Sequence, residues 1–594
     1  MRQILAYCLA AALAVLLSGC NRSEVITTDP APVIALDNPS GVYTVKVGRE
    51  VTIAPTVNHA DGALYTWLVD GAEAGSGPTF SATFAEEGQH YVTFRVETRG
   101  GSDEAELRID VVALTPPVIS FAAPASGLDL AVHVEYLFAP EILHGEEAAF
   151  EWLLDGETVG AEATYTFLSD ETGTHTLRLE ATNEDGSGAA EVVLRVLPRE
   201  PLEVTFDKPC LDAPEGTRSV ALGRSLVLRP RVGNASAPEY AWSLDGEPIP
   251  GADGAFYTYT PSERGTHEVS VTVSDPDGVE PTALTRAVRS TGRVRVTACV
   301  AVTCCGEERS VLREATAASS PSATRVFEYL PAPGQFINDP RSGFSGAETD
   351  MAAAAAYAER RLAEGNYVSL GGFGGSIIVG FDHSIARNSD PEGYDFSIAG
   401  NQFLDSSEPG IVWVMQDTNG NGLPDDVWYE LRGSAADDPE TLYDYAVTYY
   451  RPAPRMNVPW RDDRGNTGRV EYLPAYHDQD SYYPAWVAED SYTLVGTRLA
   501  PNGTYDSATG IWHNRAYDWG YADNAGEDSA AGGNPEAARA DVCFRISRAM
   551  QADGSPAELS FIDFIRVQTA VNATAGWIGE NSTEVFGFTD LNLK

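Results

Sequence analysis

Three stretches of the chain alternate apolar and polar residues directly after a Gly-x-His triplet. The triplets are Gly88-Gln89-His90, Gly173-Thr174-His175 and Gly265-Thr266-His267. The runs that follow, such as His90-Tyr91-Val92-Thr93-Phe94-Arg95-Val96, have the period of two that puts one face of an antiparallel strand in a core and the other in water. Each triplet is preceded by an apolar strand that ends in Asp-Gly: Trp67-Leu68-Val69-Asp70-Gly71, Trp152-Leu153-Leu154-Asp155-Gly156 and Trp242-Ser243-Leu244-Asp245-Gly246. Asp-Gly between strands is a hairpin signal, because glycine accepts positive φ without penalty. The Trp residues are spaced 85 and 90 residues apart. A core Trp, short alternating strands and that period predict three tandem β-sandwiches of immunoglobulin type, over 31–113, 114–198 and 199–300.

Beyond them the pattern changes. Residues 301–324 lack periodicity and read as a linker. Seven of the ten Trp and seventeen of the 26 Tyr then fall after residue 324. A helix is predicted over Glu348–Glu364, from the run of helix formers Met351 to Ala358 and from Gly365 at the C′ position. Strands are predicted at Tyr367–Leu370, Ser376–Phe381, Gly410–Met415, Val427–Leu431, Tyr445–Tyr450 and Phe561–Val567. The expected fold class is mainly β: three tandem sandwiches, then one larger, mostly β domain over 325–594 with at least one helix.

The first twenty residues differ again. Met1-Arg2-Gln3 precedes an apolar run, Ile4 to Leu17, too short to span a bilayer and closed by Leu17-Ser18-Gly19-Cys20. That ending resembles the bacterial lipoprotein cleavage motif. The resemblance implies a removed signal peptide over 1–20, with Cys20 as the site of lipid attachment and the lipid as the membrane anchor.

Composition narrows the partners. With 40 Lys+Arg against 86 Asp+Glu the formal net charge is −46, which excludes nucleic acid, because phosphate binding needs a basic surface. An anionic membrane surface is disfavoured on the same ground. Five cysteines follow Cys20: Cys210, Cys299, Cys304, Cys305 and Cys543. In an oxidising compartment Cys210 has two competing partners, Cys299 and the vicinal pair Cys304-Cys305. The Cys-x-x-Cys spacing of a zinc site is absent.

Candidate chemistry concentrates in the last domain. Asp417, Asn419 and Asn421 stand at positions 1, 3 and 5 of a loop with Gly422 at 6 and Asp425 at 9. With the Leu423 carbonyl they reproduce the front of an EF-hand-type calcium loop. Trp428 replaces the Glu of position 12, so the competing reading is a polar turn. Gly371-Gly372-Phe373-Gly374-Gly375 lacks the spacing of a dinucleotide fingerprint, and its glycines are expected to serve close packing or a bulge. Asp382-His383 offers an acid/base pair. No serine-hydrolase, zinc-protease or nucleotide-binding signature is present, so no enzyme is expected. Trp460, Tyr482, Tyr483, Trp486, Trp512, His513, Asp518, Trp519 and Tyr521 lie in Gly-, Pro-, Asn- and Asp-rich stretches. Apolar rings with polar tips on loops suit a sugar or a large flat ligand. The histidine repeated in each sandwich is expected to be structural, and the sandwiches a spacer that takes no part in ligand binding.

The sandwiches resemble the PKD branch of the immunoglobulin-like superfamily, through their Trp…Asp-Gly…Gly-x-His pattern. The last domain carries Gly371–Gly375, Val379-Gly380-Phe381-Asp382-His383, Ser407-Glu408-Pro409-Gly410, the Asp417–Asp426 loop, Asp518-Trp519-Gly520-Tyr521-Ala522-Asp523-Asn524 and Gly576-Trp577-Ile578-Gly579-Glu580. With these it resembles the C-terminal domain of Bacteroidetes surface lipoproteins, a class similar to cobalamin-binding lipoproteins. The resemblance implies capture of cobalamin (a corrinoid) at the outer membrane, facing the exterior or the periplasm, beside a TonB-dependent transporter. The alternatives are a carbohydrate-binding or carbohydrate-active protein, or an adhesin on an immunoglobulin-like stalk.

Overall fold

The computed structural model describes residues 29–206, 208–210, 212–235, 237–276, 294–305, 311–403, 405–529 and 540–593. The signal segment and Cys20 lie outside the described residues. The chain divides into two compact units, Met1–Pro116 and Pro117–Lys594.

All three predicted sandwiches are present, with one topology. In the first, strands Val42–Lys46, Gly101–Val112, Gly88–Thr98, Leu64–Val69 and Ala72–Gly75 form a five-stranded sheet in that order. Its edge strand Val42–Lys46 runs parallel to Gly101–Val112 and the other pairings are antiparallel. The second and third repeats reproduce this order. Trp67, Trp152 and Trp242 are buried at the sandwich centres. Each indole N–H finds a backbone carbonyl, on Gly77, Glu162 and Gly254 respectively, at 2.8–2.9 Å. That satisfies the polar tip of an otherwise apolar core residue.

The repeated histidine is structural, and its partner is the aspartate of the hairpin turn. His90 Nδ1 lies 2.7 Å from Asp70, His175 the same from Asp155 and His267 from Asp245. The other oxygen of each aspartate accepts the backbone N–H of the residue after the histidine. The three aspartates have φ of 50–51° and the glycines after them 82–88°, the two left-handed residues of a type I′ turn. One Asp therefore shapes the turn and latches the neighbouring strand.

The last strand of the third repeat runs Val294–Cys305, so the sandwich extends five residues into the expected linker. The cysteines form no bridge: Cys210, Cys299, Cys304, Cys305 and Cys543 are all free thiols. Cys210 is buried while Cys299 is exposed, which leaves the expected terminal-strand bridge unformed.

The last domain is built on an antiparallel six-stranded sheet ordered Arg325–Leu330, Ser376–Ala386, Phe561–Thr569, Gly410–Met415, Trp428–Leu431, Ala549–Met550. Phe561–Thr569 and Ser376–Ala386 are buried almost throughout, and a strand covered on both faces reads as a continuous apolar run. A four-stranded sheet, Thr467–Val470, Val458–Asp462, Leu442–Tyr450 and Ser491–Arg498, stands beside it. The helix spans Met351–Ala363. Asp350 caps it by accepting Ala353 N–H at 2.8 Å, and Gly365 leaves it with φ 71°.

Repeats 2 and 3 are packed against this domain, so neither is a detached spacer. Arg469 pairs with Glu141 of repeat 2 at 2.9 Å, and Thr467 Oγ1 donates to the Ala139 carbonyl at 2.8 Å. Repeat 3 contributes Arg229, 2.6 Å from Asp444. Among the described residues no helix is long and apolar enough to cross a membrane.

Candidate functional site

A cleft of about 200 Å³ opens where repeat 2 meets the last domain. The hairpin Val458–Asp462/Thr467–Val470 supplies one wall with Trp460 and Arg469. Trp460 pairs across the strands with Gly468, where a Cβ would come within 2.4 Å of the indole. Only glycine lets that ring lie across its neighbour. On the next strand Tyr449 pairs with Trp460, and its hydroxyl donates to the Phe373 carbonyl at 2.9 Å. Phe373 and Gly372 bring the glycine-rich loop to the cleft. That loop is a packing device: a Cβ on Gly371 would sit 2.1 Å from the Ala332 carbonyl, and one on Gly375 1.8 Å from that of Leu370.

The polar edge has two poles. Arg469 is held between Glu141 at 2.9 Å and Glu471 at 3.0 Å, and its Nε has no acceptor. Burial pushes the Glu141 carboxyl up, against the pull of Arg469. Glu580, 3% exposed, accepts the Gln335 N–H at 2.7 Å through Oε1, while Oε2 has no partner. Burial raises the Glu580 carboxyl to about 8, so at neutral pH it is a neutral acid with an O–H to give. The lining of the cleft thus combines aromatic rings with a guanidinium and a buried carboxylic acid, the residue types that suit a hydroxylated ring. A larger cavity, about 260 Å³, is lined by Lys208, Cys210, Phe327, Glu328 and Met351. It too brings together a cation, an aromatic ring and a carboxyl that burial raises, but none of its lining residues belongs to the sequence-expected ligand set.

Of the nine expected ligand residues, Trp460 alone lines the cleft. Tyr482, Tyr483, Trp486 and Tyr521 are 0–5% exposed core residues, not a binding surface. Their polar tips bond inward: Tyr482 Oη donates to the His477 carbonyl, Tyr483 Oη to that of Glu489, and Tyr521 Oη accepts Ala435 N–H. Trp486 packs 5.6 Å from Tyr329. Trp512 and His513 lie half-buried on the hairpin Gly503–Asp506/Ile511–Asn514, with His513 3.7 Å from Asp405. Asp518 is exposed, and Trp519 lies under the Arg548 guanidinium at 4.0 Å. Sequence reasoning missed Arg469, Glu141 and Glu580. The motif ending in Glu580 and the glycine loop were its available signals, and nothing marked Glu141 or Arg469.

Asp382-His383 is committed elsewhere. His383 is fully buried, with Nδ1 2.7 Å from Asp382 and Nε2 2.9 Å from Asp590. In the expected calcium loop the Asp417 carboxylate accepts Asn421 N–H at 3.1 Å and Gly422 N–H at 2.8 Å. Asn419 and Asn421 donate their amides to Asp425 at 3.1 and 2.9 Å, and Leu423 N–H bonds Asn421 Oδ1 at 2.8 Å. The residues converge as the spacing predicts. An ion would require both amides to turn their oxygens inward, away from the Asn421 and Leu423 N–H groups they now accept at 2.9 and 2.8 Å.

Residues 31–98 and 116–183 match the family model described as PKD-like domain. Over 205 residues, 33% of this chain, the sequence is 26% identical to Polycystin-1 of Homo sapiens, and that match spans 4% of the length of Polycystin-1. Over 289 residues, 44% of this chain, it is 26% identical to the highly immunogenic outer capsid protein of Enterobacteria phage T4, covering 73% of that protein. Among solved structures, the titin I-band fragment I67–I69 is similar with 14% identity and a TM-score of 0.20, covering 46% of this chain and 98% of the fragment. The three N-terminal domains of the bacteriophage RB49 outer capsid protein give 14% and 0.20, over 47% of this chain and 98% of theirs. The chain is mainly β, with three tandem sandwiches, the first two of which match the PKD-like domain model, followed by a further β domain.

Proposed function

We propose that this chain is a cell-envelope binding protein on an immunoglobulin-like stalk, and that the Trp460–Arg469–Glu580 cleft holds a sugar-sized ring. The observation that carries this reading is a cleft lined by Trp460, Tyr449, Arg469 and the neutral acid Glu580. A cavity of about 200 Å³ falls below the ~300–1,000 Å³ of drug-sized ligand sites. It suits one monosaccharide unit of a glycan, and a corrin macrocycle is larger than it. The outer capsid relative is by its printed name a surface component, which is in keeping with display. Lipid anchoring through Cys20 in the outer membrane belongs to the same proposal.

Arraying the full mature chain on neutral and acidic glycans, with cyanocobalamin titrated in parallel, tests the reading. Binding to a glycan class that is weakened at least tenfold in Trp460→Ala, at unchanged melting temperature, supports it. Glycan binding indifferent to that substitution, or binding of cyanocobalamin alone, overturns it. A second reading, glycoside hydrolysis, is favoured by one feature: a neutral acid in a cleft is the form a general acid takes. Release of reducing ends from the bound glycan, abolished in Glu580→Gln, would distinguish hydrolysis from binding.

A further inference from the structure

Away from the cleft, three acidic side chains from distant parts of the last domain meet in its interior. Glu408 precedes the strand Gly410–Met415, Asp523 sits in the loop that bridges to that strand, and Glu584 begins the short strand Glu584–Val585. One oxygen from each lies within 4.8 Å of the others, and Asp523 and Glu584 are 1% and 2% exposed. Among the described residues no Lys, Arg or His pairs with any of the three; the charged groups that act on them are one another. The backbone is bent to the purpose: Asp523 takes φ 52°, the left-handed region that few side chains accept.

The donors around the cluster leave a deficit. Ser582 N–H serves Glu408 at 3.1 Å, Asn401 N–H and Glu584 N–H serve Asp523 at 3.0 and 2.9 Å, and Ser582 Oγ serves Glu584 at 2.6 Å. Each is neutral, so three carboxyl groups share no counter-charge. An independent oxygen points the same way. Gln402, 1% exposed, has its amide orientation fixed by Nε2, which donates to the Ala540 carbonyl at 3.0 Å. Its Oε1 has no hydrogen-bond partner. The point a Cβ on Gly400 would occupy is 2.4 Å from that oxygen and 2.6 Å from Asp523 Oδ1. The two acceptors therefore lie close to each other beside Gly400, whose missing side chain leaves them room, and such a pair is repulsive unless something positive lies near both.

We propose that Glu408, Asp523, Glu584 and the Gln402 carbonyl form a buried binding site for a calcium-class divalent cation. The donor set is all oxygen and carries formal charges, as hard cations require. Carboxylate oxygens that all lie within 4.8 Å of one another can reach a single such cation, whose oxygen ligands stand ~2.3–2.6 Å from it. Asn401 adds a fifth group: the end of its carboxamide is 3.0 and 3.2 Å from the two Asp523 oxygens. In the orientation that satisfies both of its ends, nitrogen stands there and donates to the carboxylate; only a rotated amide would join the ligand set.

The alternative occupant is a set of shared protons, and the test separates the two. The full mature chain carrying Asp425→Asn, which disables the Asp417–Asp426 loop, is stripped with chelator and dialysed against radioactive calcium. The site predicts one equivalent bound in that background, and none when Glu584→Gln is added. If the folded Asp425→Asn chain binds no calcium, or if Glu584→Gln binds as much, the carboxyl groups are neutralised by protons and the proposal fails. Where Glu584→Gln does not fold by circular dichroism, Glu408→Gln is read in its place. The parent result decides the matter in either case, because it needs no change in the cluster.

Discussion

Replacing Glu580 by Gln changes one atom of the cleft and makes a signed prediction about pH. Glu580 is 3% exposed, and its carboxyl, raised by burial, titrates in the folded chain at about 8 instead of 4.5. Below the unfolded value both states are protonated and the group contributes no pH dependence. Between the two values the unfolded chain has lost the proton that the folded chain keeps. The folded state then binds more protons, so stability falls as pH rises, by ~1.4 kcal/mol per unit. Above about 8 both states are ionised and the loss is complete. From about pH 5.5 to 7.5 the loss is ~2.7 kcal/mol, which moves the melting temperature of a domain this size by ~5–10 °C. Glutamine is the uncharged isostere, so it should match the parent at the lower pH and exceed it by that margin at the higher. Glu430, raised by burial to about 7, slopes the same way in both proteins, so the difference between them is the readout. Differential scanning calorimetry of the two chains across this range supplies it. A difference that does not change with pH, or a parent that gains on the variant as pH rises, would show that Glu580 is charged and refute the neutral donor in the cleft.

Other predictions follow from the same geometry. Trp486→Ala should cost ~3–5 kcal/mol of stability and leave ligand affinity of the folded fraction unchanged, as calorimetry and a binding titration would show; a selective affinity loss would return this ring to the binding surface. The hydrogen bond from His175 holds the Asp155 carboxyl low. Its contribution is thus present above the ordinary Asp range and lost as pH falls through the lowered value. Asp155→Asn should remove that acid-side decline from the melting of repeat 2, and an unchanged acid slope would sink the latch. Calcium in the Asp417–Asp425 loop at a hundred times its dissociation constant should add ~2.7 kcal/mol, seen as a melting temperature that chelator lowers in the parent more than in Asp425→Asn.

Legibility differed between the repeats and the last domain for physical reasons. A repeat states its pattern three times, so Trp67, Trp152 and Trp242 identified the sandwiches by spacing alone. The Asp–His latch was invisible, because Asp70 and His90 are twenty residues apart and meet only when the hairpin closes. In the last domain the strand Gly410–Met415 appears with the bounds expected of it, since short apolar runs between turn residues are local information. The aromatic stretches misled because composition cannot separate a ring on a loop surface from one folded under it. Tyr521 is buried because Gly433 leaves space for it, with a Cβ there only 2.3 Å from the ring. Glu141 and Glu580 stand more than four hundred residues apart in the chain and line one cleft, a juxtaposition carried by domain packing.

The proposed ligand position lies between repeat 2 and the last domain. A crystal structure of the full chain with its strongest array ligand is the sharpest test. The expected result is a ring stacked on Trp460 with its polar edge toward Glu580 and Arg469. Ligand density on the Trp512–His513 hairpin or beside Trp519, with the cleft holding only water, would contradict it.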